Sequence, residues 1–410
     1  MNSLHDRRFR FGAPPGARLG ALLCAGVCVG VCAAVFSASA QERFSTRVKV
    51  LAGDQWVKWA GDKGDKGDER GKPGNDALLK EAEKLLAAPL VTIVEKRHIA
   101  PGGDPHDYYS IGIYWWPNPV TGGRPYVRRD GEVNPETREY DHTRLTRFSH
   151  VVSRLALAFA QSGDARYAQR AREWLRAWFL DARTRMNPHL SHAQAWPGRN
   201  SGTPFGIIEG EALASRVPAA ILILKEGGEL PEPEWEGIRA WFEALRGWYE
   251  TSPHGKELDK EGHNISTWYD VQRVSLALLL EDDAGARRVV REAAVKRLGM
   301  ISPKGELPAE LRRAKSWDYC CYHLRALMRL AELGDAVGED FWRASGPSGG
   351  SIARVLDFLL PYARGEKPWD YPQAGGTWKR QTIVPLLRKA ATVYHDGRYE
   401  EAAELAAKAQ

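Results

Sequence analysis

Cysteine is nearly absent from the body of this chain. Of five cysteines in 410 residues, Cys24, Cys28 and Cys32 lie in an N-terminal apolar run, which leaves only the adjacent pair Cys320 and Cys321. Neighbouring cysteines rarely bridge each other, so no disulfide framework is expected. No CxxC or HExxH pattern occurs, so the sequence gives no support for a metal site, and no cofactor is expected. Blocks of five or more Lys/Arg are also missing. A net charge of +6 and a pI of about 9.0 are mild for a protein that binds nucleic acid. Such an excess suits a protein that meets a polyanion, or carries no specific meaning.

Long apolar runs are confined to one place. Arg7, Arg8 and Arg10 form a basic start, Leu19 to Phe36 is apolar, and Ala38-Ser39-Ala40 is a small-x-small cleavage pattern before Gln41. This order predicts a signal peptide over residues 1–40; a single membrane anchor is the alternative, because the run is barely long enough to span. The expected location is periplasmic or secreted, with no stable membrane insertion after cleavage. Residues 41–76 read as a polar linker. They contain GDKGDKGDERGKPG from Gly61 to Gly74, whose Gly-x-y pattern slips between Gly67 and Gly71 and is too short and Pro-poor for a triple helix.

What is abundant is helical periodicity. From Ala77 to the C-terminus, apolar residues recur at i, i+3, i+4 and i+7, as in Leu155 and Phe159 or Leu175 and Phe179. The spacing predicts helices near 77–88, 143–161, 165–182, 208–226, 232–250, 266–281, 284–299, 315–334, 350–364, 379–394 and 397–409. Asp164 and Pro231-Glu232-Pro233 are start signals. No strand succession is visible. Helices of similar length joined by short turns predict an all-α chain over 77–410, an α/α toroid or a helical solenoid.

Three stretches break the periodicity, at 100–141, 186–206 and 252–266, and function concentrates on such loops. The first holds Tyr108, Tyr109, Tyr114, Trp115 and Trp116, followed by Arg128-Arg129-Asp130. The aromatic cluster could line a sugar-binding cleft or pack as a rigid loop. The second offers Gln194, Arg199 and Asn200 before a helix whose N-terminus near residue 208 would add anion-binding amides. In the third, His263 and Asn264 precede a helix on which Tyr269 and Gln272 share a face. A fourth segment, Arg312-Arg313-Ala314-Lys315-Ser316-Trp317-Asp318-Tyr319, sets three cations before a tyrosine. An Arg beside a Tyr can lower the phenol pKa towards the working range. Taken singly, each of these residues reads as structural.

The motifs DYxSxxxYWWPxP (from Asp107), PYxRRDGxxNP (from Pro125), MNPHLxxAQ (from Met186), STWYDxQ (from Ser266) and RxxSWxY (from Arg313) occur in an order that resembles the bacterial alginate lyase-like proteins, relatives of the poly-mannuronate lyases. The resemblance covers roughly residues 80 to 395. It implies an α/α toroid with long active-site loops that cleaves a 1,4-linked uronan, alginate above all, by β-elimination. It further implies Tyr319 as base and acid, Arg313 as its neighbour, and His263 and Asn264 as the groups that neutralise the substrate carboxylate. Gln194, Arg199, Asn200, Tyr269, Gln272, Tyr114, Trp115, Trp116 and Arg128 would bind substrate. The family stretch reads Asn-Asn-His-Gly-Thr-Trp-Tyr; a gapless match sets His263 and Asn264 on the two Asn positions and Ile265 on the His. Neutralising a uronate carboxylate acidifies its C5–H by the logic of an oxyanion hole.

Other readings are a lyase for glucuronan or another polyuronate, a glycoside hydrolase, and a non-catalytic polyuronate-binding protein. A hydrolase needs two carboxylates across the scissile bond, for which Asp107, Asp130, Glu209 and Asp270 are available. The expected partner is an acidic polysaccharide, met as a monomer, with no nucleic acid.

Overall fold

The structure, a computed structural model, describes residues 43–54, 73–375 and 378–409. The predicted signal peptide and residues 61–72 of the Gly-rich stretch lie outside the described residues. The described residues from Phe44 onward form one compact unit.

The chain forms α1 (Thr46–Ala52), α2 (Pro73–Leu86), β1 (Tyr109–Ile111), β2 (Trp115–Asn118), β3 (Gly123–Arg128), α3 (Asp141–Ser162), α4 (Ala165–Leu175), β4 (His192–Ala195) and α5 (Val217–Glu226). Then follow α6 (Glu232–Thr251), α7 (Pro253–Lys260), α8 (Asn264–Leu279), α9 (Asp283–Lys296), α10 (Pro308–Leu311), α11 (Ser316–Asp335), α12 (Ile352–Arg364), α13 (Val384–Tyr394) and α14 (Gly397–Ala407). The ends are chemically marked. Side chains of Asp164, Ser252, Asp282, Ser351 and Asp396 accept hydrogen bonds from first-turn amides, satisfying donors that would otherwise be orphaned. Gly163 and Gly365 close α3 and α12 in the left-handed conformation.

Helices pack in consecutive pairs, α3 on α4, α8 on α9 and α11, and α13 on α14, as an α/α toroid. The inward stripe of α3 (Leu145, Phe148, Val152, Leu155, Phe159) is buried. Phe148 stacks on Trp178 at 4.4 Å, next to Phe179 and Trp241. Each such side chain stabilises the fold by about 1.5–3 kcal/mol through removal from water.

Three expectations need correction. The linker predicted for 41–76 begins too early. Phe44, Val48 and Leu51 are buried apolar anchors. Arg47 pairs with Asp283 at 2.8 Å, Arg329 donates to the Leu51 carbonyl, and Lys389 pairs with Asp54. A short amphipathic helix thus ties α9, α11 and α13 together. The helix predicted from 208 begins as 3-10 turns over Pro204–Gly210 and a π-turn over Ala212–Arg216, with α5 proper starting only at Val217, before Pro218. An anion-binding helix N-terminus near 208 is therefore absent. The loop at 252–266 contains α7.

Among the described residues four short strands accompany the helices. β1 runs parallel to β4, pairing Tyr109 with His192 and Ile111 with Ala195. β2 and β3 form an antiparallel hairpin that pairs Trp115 with Arg128. The first ladder ties the stretch at 100–141 to that at 186–206, and the second folds the 100–141 stretch back on itself. Among the described residues no helix is long and apolar enough to cross a membrane.

Candidate active site

A cleft of about 650 Å³ lies where the hairpin, β4 and the N-terminal ends of α8 and α11 meet. Its lining contains Tyr114, Trp115, Arg128, Gln194, His263, Asn264, Arg313 and Tyr319, all residues singled out from sequence. It also contains Trp196, Phe205, Glu310, Arg312, Lys315, Asp318 and Tyr322.

Tyr319 projects from the first turn of α11, and its hydroxyl donates to the Tyr114 hydroxyl at 2.7 Å. The Arg313 guanidinium lies over the Tyr319 ring, 3.6 Å from its centroid. Here the structure corrects the expected electrostatics. Burial pushes the Tyr319 phenol well up, the hydrogen bond to Tyr114 adds to this, and Arg313 opposes it only weakly. Arg313 stacks on the ring face, and its N–H groups form a two-point pair with Asp130 at 2.7 and 3.1 Å. Burial opposes the Asp130 charge, but the hydrogen bonds from Arg313 and the Ala314 amide outweigh it and bring the carboxyl down to about 2. Asp130 therefore locks the loop after β3 onto the turn before α11.

His263 caps α8, its Nδ1 accepting from the Ile265 amide at 3.2 Å. That bond places the ring proton on Nε2. Nε2 is buried without a hydrogen-bond partner among the described residues, with Glu261 3.7 Å away. Burial lowers the His263 pKa to about 4, so the imidazole is neutral at neutral pH and keeps an unspent donor at the cleft wall. Asn264 is held more tightly. Its backbone N–H and its side-chain Nδ2 each donate to Glu310, both at 2.8 Å. One of its two amide protons is thus already engaged.

Glu310 is 1% exposed and was not legible from sequence. His323 Nδ1 lies 3.3 Å from Glu310 Oε1, while His323 Nε2 contacts the Thr267 hydroxyl at 2.8 Å. Burial opposes the Glu310 charge, but the donors of His323 and Asn264 hold its pKa below the usual range. His323 is four residues after Tyr319 on α11, so the tyrosine and this buried network share one helix face.

Rings line the other wall. Trp115 stacks on Trp196 at 4.3 Å, Trp196 on Phe205 at 6.5 Å, and Phe205 meets His263 at 5.5 Å. Gly112 allows this close packing, because a Cβ there would sit 2.6 Å from Trp115. Gln194 lines the cleft with φ +47, a left-handed backbone unusual outside glycine and concentrated at functional sites. Arg312 and Lys315 add cations that form no ion pair among the described residues.

Five expected binding residues fall elsewhere. Trp116 follows Trp115 on a strand and points to the opposite face, bonding the Glu132 carbonyl under Arg129. Arg199 sits behind the wall, over Trp115 at 5.7 Å. Asn200 closes a turn on the Trp196 amide. Gln272 is fully buried between Tyr249 and the Ile207 carbonyl. Tyr269 donates to the Tyr249 carbonyl and borders a separate, ion-paired cavity of about 380 Å³. The carboxylates considered for hydrolysis are also engaged elsewhere. Asp107 faces His189 and His192, Glu209 holds Tyr108 and Ser110, and Asp270 pairs with Arg297 at 2.6 Å.

The sequence model of the family described as alginate lyase matches residues 92–369. A solved alginate lyase from Bacteroides ovatus is 32% identical, with a TM-score of 0.80 over 90% of this chain and 97% of that one. A variant of alginate lyase A1-III complexed with a tetrasaccharide is 16% identical, with a TM-score of 0.51 over 78% of this chain and 88% of that one, a likeness of fold. No curated protein matches the sequence. The chain belongs to the alginate lyase family and is a polysaccharide lyase.

Proposed function

We propose that this enzyme, exported to the periplasm or beyond, cleaves a 1,4-linked uronate polymer, alginate foremost, by β-elimination. The observation that carries the reading is the Tyr319 hydroxyl set in a cation-rich cleft that His263 also lines, with a His263 Nε2 that has no hydrogen-bond partner among the described residues. In this scheme a substrate carboxylate accepts from His263 Nε2–H and from the free Asn264 amide proton, with Arg312 and Lys315 supplying positive charge. These groups stabilise the dianion that develops as C5–H is removed, and Tyr319 removes it. The aromatic wall of Trp115, Trp196 and Phe205 holds the sugar faces.

The test is ultraviolet absorbance of the unsaturated uronyl product, with purified protein and a panel of alginate, glucuronan and hyaluronan. A rise on one polymer, with products lacking an added water by mass, establishes elimination and names the substrate. A flat trace across the panel with polymer still bound would overturn the reading in favour of a binding protein, and products one water heavier in favour of a hydrolase.

The pH dependence follows from two shifts of opposite sign. The raised Tyr319 pKa makes its basic form scarce at neutral pH, so kcat/KM is expected to climb about tenfold per pH unit from neutral into alkaline solution. His263, lowered to about 4, is neutral throughout that range and contributes no inflection there. A pH–rate profile from pH 5.5 to 9.5 checks both statements.

A further inference from the structure

We propose that Tyr114 is a second catalytic residue, the acid that protonates the departing O4 while Tyr319 takes the C5 proton. This rests on the β-elimination reading above and adds a division of labour to it. Here a second phenol stands at hydrogen-bond distance in the same cleft, from a segment 205 positions away in sequence.

Tyr114 is held rather than draped. The Gly112 amide donates to the Ala195 carbonyl at 2.9 Å, the Asn134 amide to the Ile113 carbonyl at 2.8 Å, and the Arg129 amide to the Tyr114 carbonyl at 2.8 Å. Three main-chain bonds within three residues fix where this phenol stands, as a proton donor in a reaction requires.

The step balances. The reactive form of the pair holds one proton between two oxygens, Tyr319 as phenolate and Tyr114 as phenol. Tyr319 accepts the C5 proton, and the C5–H electrons form the C4=C5 double bond. The C4–O4 bond breaks with its electrons on O4, which takes the proton of Tyr114. Tyr319 is then a phenol and Tyr114 a phenolate, joined by the same hydrogen bond. Transfer of one proton across that 2.7 Å contact restores the starting form. The pair carries a single negative charge throughout, and no external acid is consumed.

The test uses the full chain, its Tyr114→Phe and Tyr319→Phe variants, and two substrates. One is the polymer found active in the panel; the other is a uronide whose O4 carries 4-nitrophenyl, a leaving group that departs without protonation. Tyr114→Phe is expected to lose about 10²- to 10³-fold in kcat on the polymer, yet to stay within a few-fold of the parent on the aryl substrate. In deuterated water it is expected to place deuterium at C5 of unreacted polymer, because proton removal outlives the loss of the acid. Tyr319→Phe should lose both substrates and the exchange. Equal losses of Tyr114→Phe on both substrates would overturn the proposal, leaving Tyr114 as a prop for Tyr319. Undiminished turnover of the polymer would overturn it as well. A parent enzyme inert towards both substrates would instead sink the elimination reading, and the proposal with it.

Discussion

Tyr319→Phe is expected to abolish the absorbance rise of the unsaturated product, lowering kcat by about 10³-fold or more, while polymer still binds with near-parental affinity. The change removes one oxygen and leaves the ring that Arg313 covers. The Arg313–Asp130 pair does not involve the phenol, so the turn before α11 should hold its place. Equilibrium binding by the catalytically dead variant, set beside initial rates of the parent, separates the two effects. A variant that retains a tenth of the parental rate would move the base elsewhere in the cleft.

The largest effect on stability is expected at Glu310. Replacing it with Ala removes the acceptor of the Asn264 amide and of Asn264 Nδ2, and the buried carboxylate 3.3 Å from His323 Nδ1. Stripping one partner from a buried charged network costs about 3–5 kcal/mol, because the remaining groups stay desolvated and unpaired. Urea denaturation of Glu310→Ala should show a loss of that size, with Glu310→Gln intermediate because its carbonyl still accepts one bond. Activity should fall in both variants, since Asn264 then lacks the contact that aims it. The pH dependence has a definite sign. A carboxyl whose folded pKa is lowered contributes stability above the unfolded value of about 4.3 and loses it as the pH falls through the folded value. Asp130, at about 2, behaves in the same way, so acid should loosen both sides of the cleft together.

How much of this was legible in the sequence depended on range. Helices that bury one stripe announce themselves within a dozen residues, and α3, α6, α11 and α14 lie close to their predicted spans. The family motifs carried Tyr319, Arg313, His263 and Asn264 to the cleft because each stands at the start of a helix or in the turn before it. The same approach failed for Tyr269 and Gln272. Their shared helix face is real, but it turns towards Tyr249 rather than towards open space. Glu310 gave no signal, being one glutamate among many in a polar stretch. Its meaning comes from Asn264, 46 positions away, and such a pairing has no periodicity. Helix α1 was missed for a related reason. A few apolar residues beside a polar, Gly-rich stretch are weak evidence until the groove that receives them is known. Trp196 and Phe205 were passed over among more conspicuous neighbours, although their loop had been marked.

The two phenols that meet in the cleft also bear on stereochemistry. Oxygens 2.7 Å apart on one wall approach a bound sugar from the same side. A base and an acid so placed serve a syn elimination, in which the hydrogen on C5 and the oxygen on C4 leave from one face of the ring. D-mannuronate and D-glucuronate present that relationship. L-guluronate, inverted at C5, presents the opposite one and would need its acid across the ring. Among alginates, blocks of mannuronate are therefore expected to be consumed while blocks of guluronate persist, a result that nuclear magnetic resonance of the residual polymer would show directly.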